Sequence, residues 1–224
     1  MKYLLHGVMR QNPGGWLPEL GMRVLTAHGL AAAVSAVEDI SPPPSISRLL
    51  AYEKVVEAIH ARQAVIPLRY GCVMESESAV IRLLEDHRQE YDALLTRLLG
   101  MTEIAIRALW PARDRILPGL PSSPGAAYLA SLRACYNSAI ALAPEEAQLA
   151  DQITSLLSDC STEQRREVSS SGRGLIVSLY FLTPAADANE FLRQARQIRP
   201  PSAAKLLLSG PWPPYNFAAS VDGI

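Results

Sequence analysis

Glu53, Glu57 and His60 are the residues whose types and spacing come nearest to a metal site. They fall at positions i, i+4 and i+7 of a predicted helix, which places two carboxylates and an imidazole along one helical face. Such a face could bind a divalent metal. Charged helical faces are more often simply solvated, so we favour the solvated interpretation and predict neither a metal nor another cofactor.

A nucleophile is the second chemical possibility. Cys72 and His60 could act as thiol and base, but Cys72 lies among apolar strand residues, where a buried and unreactive thiol is the commoner outcome. The sequence contains no H-E-x-x-H, P-loop, G-x-G-x-x-G or G-x-S-x-G motif. We therefore predict no catalytic residues.

The stretch Ser171-Gly172-Arg173-Gly174 offers backbone N–H groups that could hold an anion. It lies between two segments with strand character, so a hairpin turn is the better explanation.

Composition narrows the class of protein further. Hydrophobic residues make up 49% of the 224 residues and charged residues 19%, so the chain should fold around a substantial core. The net charge of −1 leaves no basic excess for a nucleic-acid partner, and no apolar run is long enough to cross a lipid membrane. Three widely spaced cysteines, Cys72, Cys135 and Cys160, fit reduced thiols. We expect a cytoplasmic protein.

The first hundred residues predict a mixed α+β domain, residues 1–100. The expected elements are a strand, a hairpin around His28-Gly29 whose Ala-rich second arm could instead be helical, and a helix. A strand that contains Pro67 follows, which should lie at a sheet edge or carry a bulge, and then a long helix ended by Gly100. Their ranges are 2–9, 22–27 with 30–37, 45–63, 65–74 and 76–99.

The second half predicts the order β-α-β-β-α-β. Strands are expected at 101–110, 164–169, 175–182 and 203–208, and helices at 126–157, broken at Pro144, and at 185–197. In the strand 101–110, Glu103 and Arg107 alternate with apolar residues and are predicted to face water. This order is that of a ferredoxin-like domain, which we assign to residues 101–208 of an α+β protein.

The tail, residues 209–224, follows the last strand. Pro211, Pro213 and Pro214 argue against regular helix and interior strand, so an extended surface segment is expected. Trp212, Tyr215 and Phe217 offer a large apolar area with few rotatable bonds. The segment could be a latch over the N-terminal domain or a strip that docks another protein, and the residues leave both possibilities open.

Two segments are specific enough to carry a family resemblance: SGPWPPYNF at 209–217 and VIPLRYGCVM at 65–74. Weaker matches are YLLHGV at 3–8 and LLTRLLGMTEIAIRAL at 94–109. On these motifs the chain resembles the GvpF/GvpL family of gas vesicle proteins. It departs from the family's pattern at Tyr70, where Phe is common, and at Ile104, where Trp is frequent.

The resemblance implies a minor, non-enzymatic protein of the gas vesicle, a cytoplasmic gas-filled organelle walled by protein alone. Family members have two α+β domains, the second a modified ferredoxin-like fold. They are implicated in shell assembly through contact with the small hydrophobic major shell protein GvpA and with other accessory Gvp proteins. No cofactor is implied.

On this basis we hypothesise an adaptor or nucleator that covers the apolar surface of a shell subunit before assembly. Arg69 could order the domain junction or be an ordinary surface arginine. A small-molecule-binding regulator or enzyme built on the ferredoxin-like domain is the alternative function. The candidate residues for partner binding or an interdomain latch come from the proline-bearing strand and the tail: Pro67, Arg69, Tyr70, Gly71, Gly210, Pro211, Trp212, Pro213, Pro214, Tyr215 and Phe217.

Overall fold

Two antiparallel sheets and several helices make up the α+β structure of the chain. The computed structural model describes residues 1–11, 16–38, 45–111, 142–171 and 174–218. They divide into two compact units: the first contains 1–103, 184–186 and 211–218, and the second the remaining described residues from 104 to 210. The predicted boundaries at residues 100 and 208 stay a prediction about independently folding domains.

The sheet of the first unit is built around its first strand, β1. It has the order β2-β3-β1-β4, and β5 also pairs with β1. The strands are β1 (Lys2–Arg10), β2 (Arg23–Ala27), β3 (Leu30–Val37), β4 (Ile66–Pro67) and β5 (Val73–Met74).

Gly7 permits a close approach within this sheet. The pairing of β1 with β3 shifts register between Leu5 and Gly7. A Cβ at Gly7 would lie 2.7 Å from Val65 Cγ2 and 3.1 Å from the Ile66 carbonyl oxygen, so a larger residue would displace β4.

The hairpin predicted around His28-Gly29 is confirmed. Strands β2 and β3 pair antiparallel up to Ala27 and Leu30. His28 and Gly29 have φ of 49° and 86°, the positive values that a two-residue type I′ turn requires. The helical alternative for the Ala-rich arm is therefore wrong, because these alanines pair in the sheet instead.

The single strand predicted over 65–74 is wrong, since β4 and β5 are separate two-residue strands. Strand β4 ends at Pro67, although the next amide, that of Leu68, still donates to the His6 carbonyl oxygen of β1 at 3.1 Å. The chain then turns, with the Cys72 amide donating to the Arg69 carbonyl, and Gly71 takes φ of 99°. Both short strands still pair with β1.

Among the described residues of 1–103, four helices accompany this sheet: α1 (Trp16–Glu19), α2 (Ile46–His60), α3 (Glu77–Asp86) and α4 (Arg88–Arg97). The single helix predicted over 76–99 is broken at His87, whose φ of −103° and ψ of 15° leave the helical range. Histidine is a weak helix former, and here its ring turns to Glu90 and stacks on Tyr91. These local contacts favour the break.

The second unit contains a four-stranded sheet of order β7-β8-β6-β9. Its elements are β6 (Met101–Pro111), α5 (Pro144–Leu156), a 3₁₀ turn (Ser158–Cys160), β7 (Glu163–Ser171), β8 (Gly174–Pro184), α6 (Ala188–Ala195) and β9 (Lys205–Trp212). Alternate residues of β6 and β8 form the core with apolar residues of the two helices, including Ile104, Ile153, Phe181 and Phe191.

Two local predictions for this unit are confirmed. Helix α5 begins at Pro144, the first-turn position that proline favours, while the helix predicted over 126–141 lies outside the described residues. Strands β7 and β8 pair antiparallel up to Ser171 and Gly174, which makes the stretch 171–174 a hairpin connection. Gly172 and Arg173 lie outside the described residues.

The tail is not wholly extended, contrary to the prediction. Strand β9 continues through Pro211 to Trp212, and a short helix, α7 (Tyr215–Ala218), follows Pro214. Proline is compatible with both places, because an outer strand and a helical first turn leave some N–H groups without ladder or helix partners. Residues 219–224 lie outside the described residues.

Candidate partner-binding site at the C-terminal segment

The C-terminal segment, residues 211–218, is grouped with the first unit. The Tyr215 and Tyr70 side chains both pack against a cluster formed by Leu4, Tyr52 and Val56. The fold therefore brings together two of the predicted site residues that are 145 positions apart in the sequence.

Asn216 is held by a buried carboxylate. Its backbone N–H donates to Glu103 Oε2 at 2.8 Å, and its side-chain Nδ2 donates to Glu103 Oε1 at 2.6 Å. Glu103 is only 4% exposed. A buried carboxylate is costly unless donors surround it, so this two-point contact fixes the segment in one position.

Two further contacts hold the backbone of the segment. Thr102 Oγ1 donates to the Trp212 carbonyl oxygen at 2.9 Å, and Arg97 Nη2 donates to the Phe217 carbonyl oxygen at 2.5 Å. With Glu103, these donors and acceptors all come from the end of α4 and the start of β6. Three side chains within a stretch of seven residues, 97–103, thus hydrogen-bond to Trp212, Asn216 and Phe217.

Burial divides the segment into two parts. Pro213, Pro214 and Phe217 are buried, and Phe217 is 0% exposed. Trp212, by contrast, is 43% exposed although its own carbonyl is hydrogen-bonded. The indole of Trp212 is therefore exposed, while its backbone carbonyl is hydrogen-bonded and the two prolines after it are buried.

Tyr215 lies beside carboxylates from two elements. Burial raises the pKa of its phenol, and the negative charges of Glu53, Glu57 and Glu103 raise it further. The phenol is therefore neutral at physiological pH and packs as an apolar ring against the cluster around Tyr52.

Tyr52, a member of this cluster, makes polar contacts and stacks on the buried His6. The Tyr52 hydroxyl lies 2.8 Å from the Leu5 carbonyl oxygen and 2.7 Å from that of Leu68, and burial raises its pKa. The His6 ring stacks on Tyr52 at 4.5 Å, with Nε2 3.1 Å from Ser35 Oγ. His6 is 3% exposed, and burial lowers its pKa to about 4.

The family model described as gas vesicle synthesis protein GvpL/GvpF matches residues 5–219. The chain belongs to the GvpL/GvpF family. The resemblance drawn from the sequence motifs is thereby confirmed.

Curated relatives of this family member carry gas vesicle names. Gas vesicle protein L1 of Halobacterium salinarum is 25% identical, with 88% of this chain and 81% of the relative aligned. Gas vesicle protein F of Streptomyces sp. is 26% identical over 89% of both chains. These names support an accessory role in the gas vesicle.

Solved structures show that the fold is also that of the family. The crystal structure of GvpF from Anabaena sp. PCC7120 has a TM-score of 0.71 at 17% identity, covering 97% of this chain and 95% of its own. That of GvpF from Microcystis aeruginosa has the same TM-score at 16% identity, covering 97% of this chain and 98% of its own.

Within the described ranges, no helix is both long and apolar enough to cross a membrane.

Of the other predicted site residues, Pro67 lies on β4, a strand that contacts both α4 and the short helix α7 of the segment. Arg69 is exposed, and its side chain makes no hydrogen bond or ion pair with the described residues. Gly71 needs its positive φ for the turn after Pro67, which lies on β4. Gly210, in β9, also has a positive φ, of 115°.

The described residues give no support to the metal site or to the Cys72 nucleophile that the sequence left as possibilities. Among the described residues, no group of three or more His, Cys, Asp or Glu side chains is placed to hold a metal. Glu53 and Glu57 are exposed, as a solvated face would be. Burial raises the pKa of the Cys72 thiol to about 11, so it is protonated at neutral pH and a poor nucleophile.

The first unit contains an apolar hollow with a volume of about 250 Å³. It is lined by Arg10, Gln63, Ala64, Leu95, Thr96 and Leu99. Its one charged group, Arg10, already donates to Thr96 Oγ1 at 2.7 Å. The lining thus provides no acid–base pair for catalysis.

The sequence interpretation missed the residues that anchor the segment. Glu103 was predicted to face water, which is wrong because Asn216 and its surroundings bury it. Arg97 and Thr102 act on backbone carbonyls and leave no pattern in the sequence. The available signal was a carboxylate within an apolar strand, which needs a partner if the strand is buried on both faces.

Proposed function

We propose that this protein is a non-enzymatic accessory protein of the gas vesicle that acts in shell assembly by binding the small hydrophobic shell protein GvpA and other Gvp proteins. Family membership and the gas vesicle names of its relatives support the general role. The partner and the surface that binds it are our inference.

The observation that carries the proposal is the exposed indole of Trp212 on an anchored backbone. Exposed tryptophans in fixed positions are the side chains that most often dominate protein–protein binding energies. Because Thr102 holds the Trp212 carbonyl and Pro213 restricts the backbone of Trp212, the residue before it, little backbone freedom is lost when a partner covers the indole. Trp212 is thus suited to an apolar protein surface.

The proposed mechanism follows from the chemistry of the partner. A strongly hydrophobic shell subunit aggregates unless a folded protein covers part of its apolar surface before assembly. Trp212 contributes that cover, while Tyr215, Asn216 and Phe217 hold the segment to the first unit. The latch and the docking strip are, in this proposal, different residues of one segment.

The test is co-purification of the shell protein with the tagged full-length chain after co-expression. Trp212→Ala should lower the amount of captured shell protein by about tenfold or more, while it lowers the melting temperature much less than Phe217→Ala does. Leu99→Ala is the matched control, because Leu99 is a 67% exposed apolar side chain of the same unit. Equal capture by both variants would contradict the assignment of Trp212.

Trp212 must be changed alone in this test. A double variant that also removes Tyr215 would loosen the segment's packing on the cluster of Leu4, Tyr52 and Val56. Loss of capture would then have two explanations, a missing contact or a displaced segment.

For the second unit we infer a ferredoxin-like arrangement. Its described elements follow the order β6, α5, β7, β8, α6 and β9, and its strands lie in the order β7-β8-β6-β9. Two central strands flanked by the second and fourth strands are what a split β-α-β pair produces. A crystal structure that placed another strand between β6 and β8 would contradict this inference.

A further inference from the structure

The sheet of the second unit has a long, regular strand at one edge. Among the described residues, β7 pairs with β8 alone, through nine consecutive antiparallel residue pairs without a bulge. The side chains of residues 163–170 are all exposed or partly exposed. A straight outer strand of this kind has backbone N–H and C=O groups along its outer side that can pair with a further strand.

The other outer strands of the two described sheets are shorter or irregular. Strand β9, at the opposite edge of the same sheet, contains Pro211, which has no N–H, and Gly210, whose φ of 115° is far from extended backbone. In the first sheet, the outer strands β2 and β4 have five and two residues. Short strands, prolines and irregular backbone all oppose edge pairing. Since β7 has none of these features, its side chains decide which strand can pair with it.

The side chains of β7 alternate between the two faces of the sheet. Val168 packs against the core of the second unit, and Arg166 Nη2 lies 2.5 Å from Asp151 Oδ1 of α5, so the even-numbered residues face the helices. On the other face, Glu167 accepts a hydrogen bond from Tyr180 Oη of β8 at 3.3 Å. The order of residues along that face is Glu163, Arg165, Glu167 and Ser169.

This order of charges is complementary to itself in one antiparallel register. When two copies of β7 pair around a twofold axis at Arg166, Arg165 of one protomer lies opposite Glu167 of its partner, and the same pair recurs across the axis. Centring the axis on residue 165 or 167 instead places two arginines or two glutamates opposite each other, which is destabilising. The two Arg166 side chains meet at the axis on the helical face, where each is already paired with Asp151.

We propose that β7 is a twofold interface between two copies of this chain, through which their four-stranded sheets join edge to edge. Backbone hydrogen bonds hold the two strands together, and the two pairs of Arg165 with Glu167 set the register. An apolar strand in this place would cover the charges of β7 without pairing them, so the edge selects a second copy over a hydrophobic partner. One pair of strands is a small interface, so the dimer is weak, with a Kd in the micromolar range or above. The proposal is independent of the gas vesicle role.

The test is sedimentation velocity of the full-length chain alone, from micromolar to millimolar concentration. The wild type should pass from monomer to dimer as its concentration rises. Arg165→Glu and Glu167→Arg, each alone, place like charges opposite each other and should raise the dimer Kd about tenfold. An equimolar mixture of the two variants should dimerise as the wild type does, because every pair across the axis then joins opposite charges.

The matched control is Arg199→Glu. It makes the same change of charge at an exposed arginine of the second unit, between α6 and β9 and so next to the opposite edge strand. This variant should dimerise like the wild type. Trp212→Ala should do so too, which keeps the outcome separate from that of the shell-protein assay.

A wild-type chain that stays monomeric over the whole range would overturn the proposal. A dimer that survives both single charge reversals would overturn it as well, because another surface would then hold the copies together. Failure of the two folded variants to associate when mixed would have the same meaning. If either variant does not fold, amide hydrogen exchange of the wild type decides: the β7 amides that do not donate to β8 should gain protection as concentration rises, and unchanged exchange would overturn the proposal.

Discussion

Two carboxylates of the first unit, Glu77 and Glu103, are each held by two donors in opposite surroundings. Glu77 has a side chain that is 42% exposed and contacts Tyr3 Oη at 2.6 Å and Arg23 Nη1 at 2.8 Å. These contacts, Tyr3 first, hold the pKa of Glu77 below its usual value. Glu103 is buried and receives the two neutral N–H groups of Asn216.

The comparison indicates that the burial of a carboxylate, more than the charge of its partner, determines how much a contact contributes to the stability of the unit. Water and salt screen the exposed pair of Arg23 and Glu77, and such pairs contribute little to stability. A buried carboxylate that loses a donor has no water to replace it. We therefore expect the hydrogen bonds from Asn216 to Glu103 to contribute more to the free energy of unfolding than the ion pair of Arg23 and Glu77.

The largest loss of stability should come from the buried ring of Phe217. Phe217→Ala removes a wholly buried ring and should lower the free energy of unfolding by about 3–5 kcal/mol, measured by denaturant titration. Leu99→Ala, at an exposed leucine, should change it by less than about 0.5 kcal/mol. A loss below about 1 kcal/mol for Phe217→Ala would show that the segment does not stabilise the unit.

His6 extends the comparison to a buried group that titrates. Its pKa is lowered from 6.5 to about 4, so the unfolded chain binds the proton more readily than the folded one. The contribution of neutral His6 to the free energy of unfolding is fully present above pH 6.5. It is lost as the pH falls toward 4, and the total loss is about 3 kcal/mol. Denaturation of wild type and His6→Gln across this range isolates the contribution from that of titrating carboxylates. A difference between the two that does not vary with pH would refute the prediction.

Asn216→Ala tests the buried carboxylate itself. It deletes the Nδ2 donor to Glu103 and keeps the backbone donor, so we expect a loss of about 2 kcal/mol in the free energy of unfolding. A double-mutant cycle with Glu103→Ala isolates the pair from the other contacts of each residue. Strictly additive effects would mean that the two side chains do not act together.

Glu77→Gln should have the smallest effect. Because its partners are screened by water, the melting temperature should change by no more than about 2 °C, and the change should shrink in high salt. If Glu77→Gln lowered the melting temperature more than Asn216→Ala does in the same assay, the order of the two carboxylates would be reversed.

Local signals in the sequence predicted much of the fold. His28-Gly29 identified the β2–β3 hairpin because few residue pairs accept positive φ at both positions. Pro144 identified the start of α5 because proline suits the first helical turn. In both cases the physical cause lies within the few residues that carry the signal.

The parts that could not be predicted depend on distant partners. Glu103 and Asn216 are 113 residues apart, and neither neighbourhood indicates that the other will pack beside it. The separation of β4 from β5 likewise depends on how both strands pair with β1. The motif at 209–217 showed that the segment matters, but only tertiary packing shows which of its side chains are buried and which is exposed.

The most direct test of the central claim measures folding and binding for Trp212→Ala and Phe217→Ala side by side. We predict that Trp212→Ala loses the co-expressed shell protein and stays folded with a small drop in melting temperature, whereas Phe217→Ala lowers the melting temperature by several degrees more. Retention of the shell protein by a folded Trp212→Ala chain would contradict the account, because the exposed indole would then not be the side chain that binds the partner.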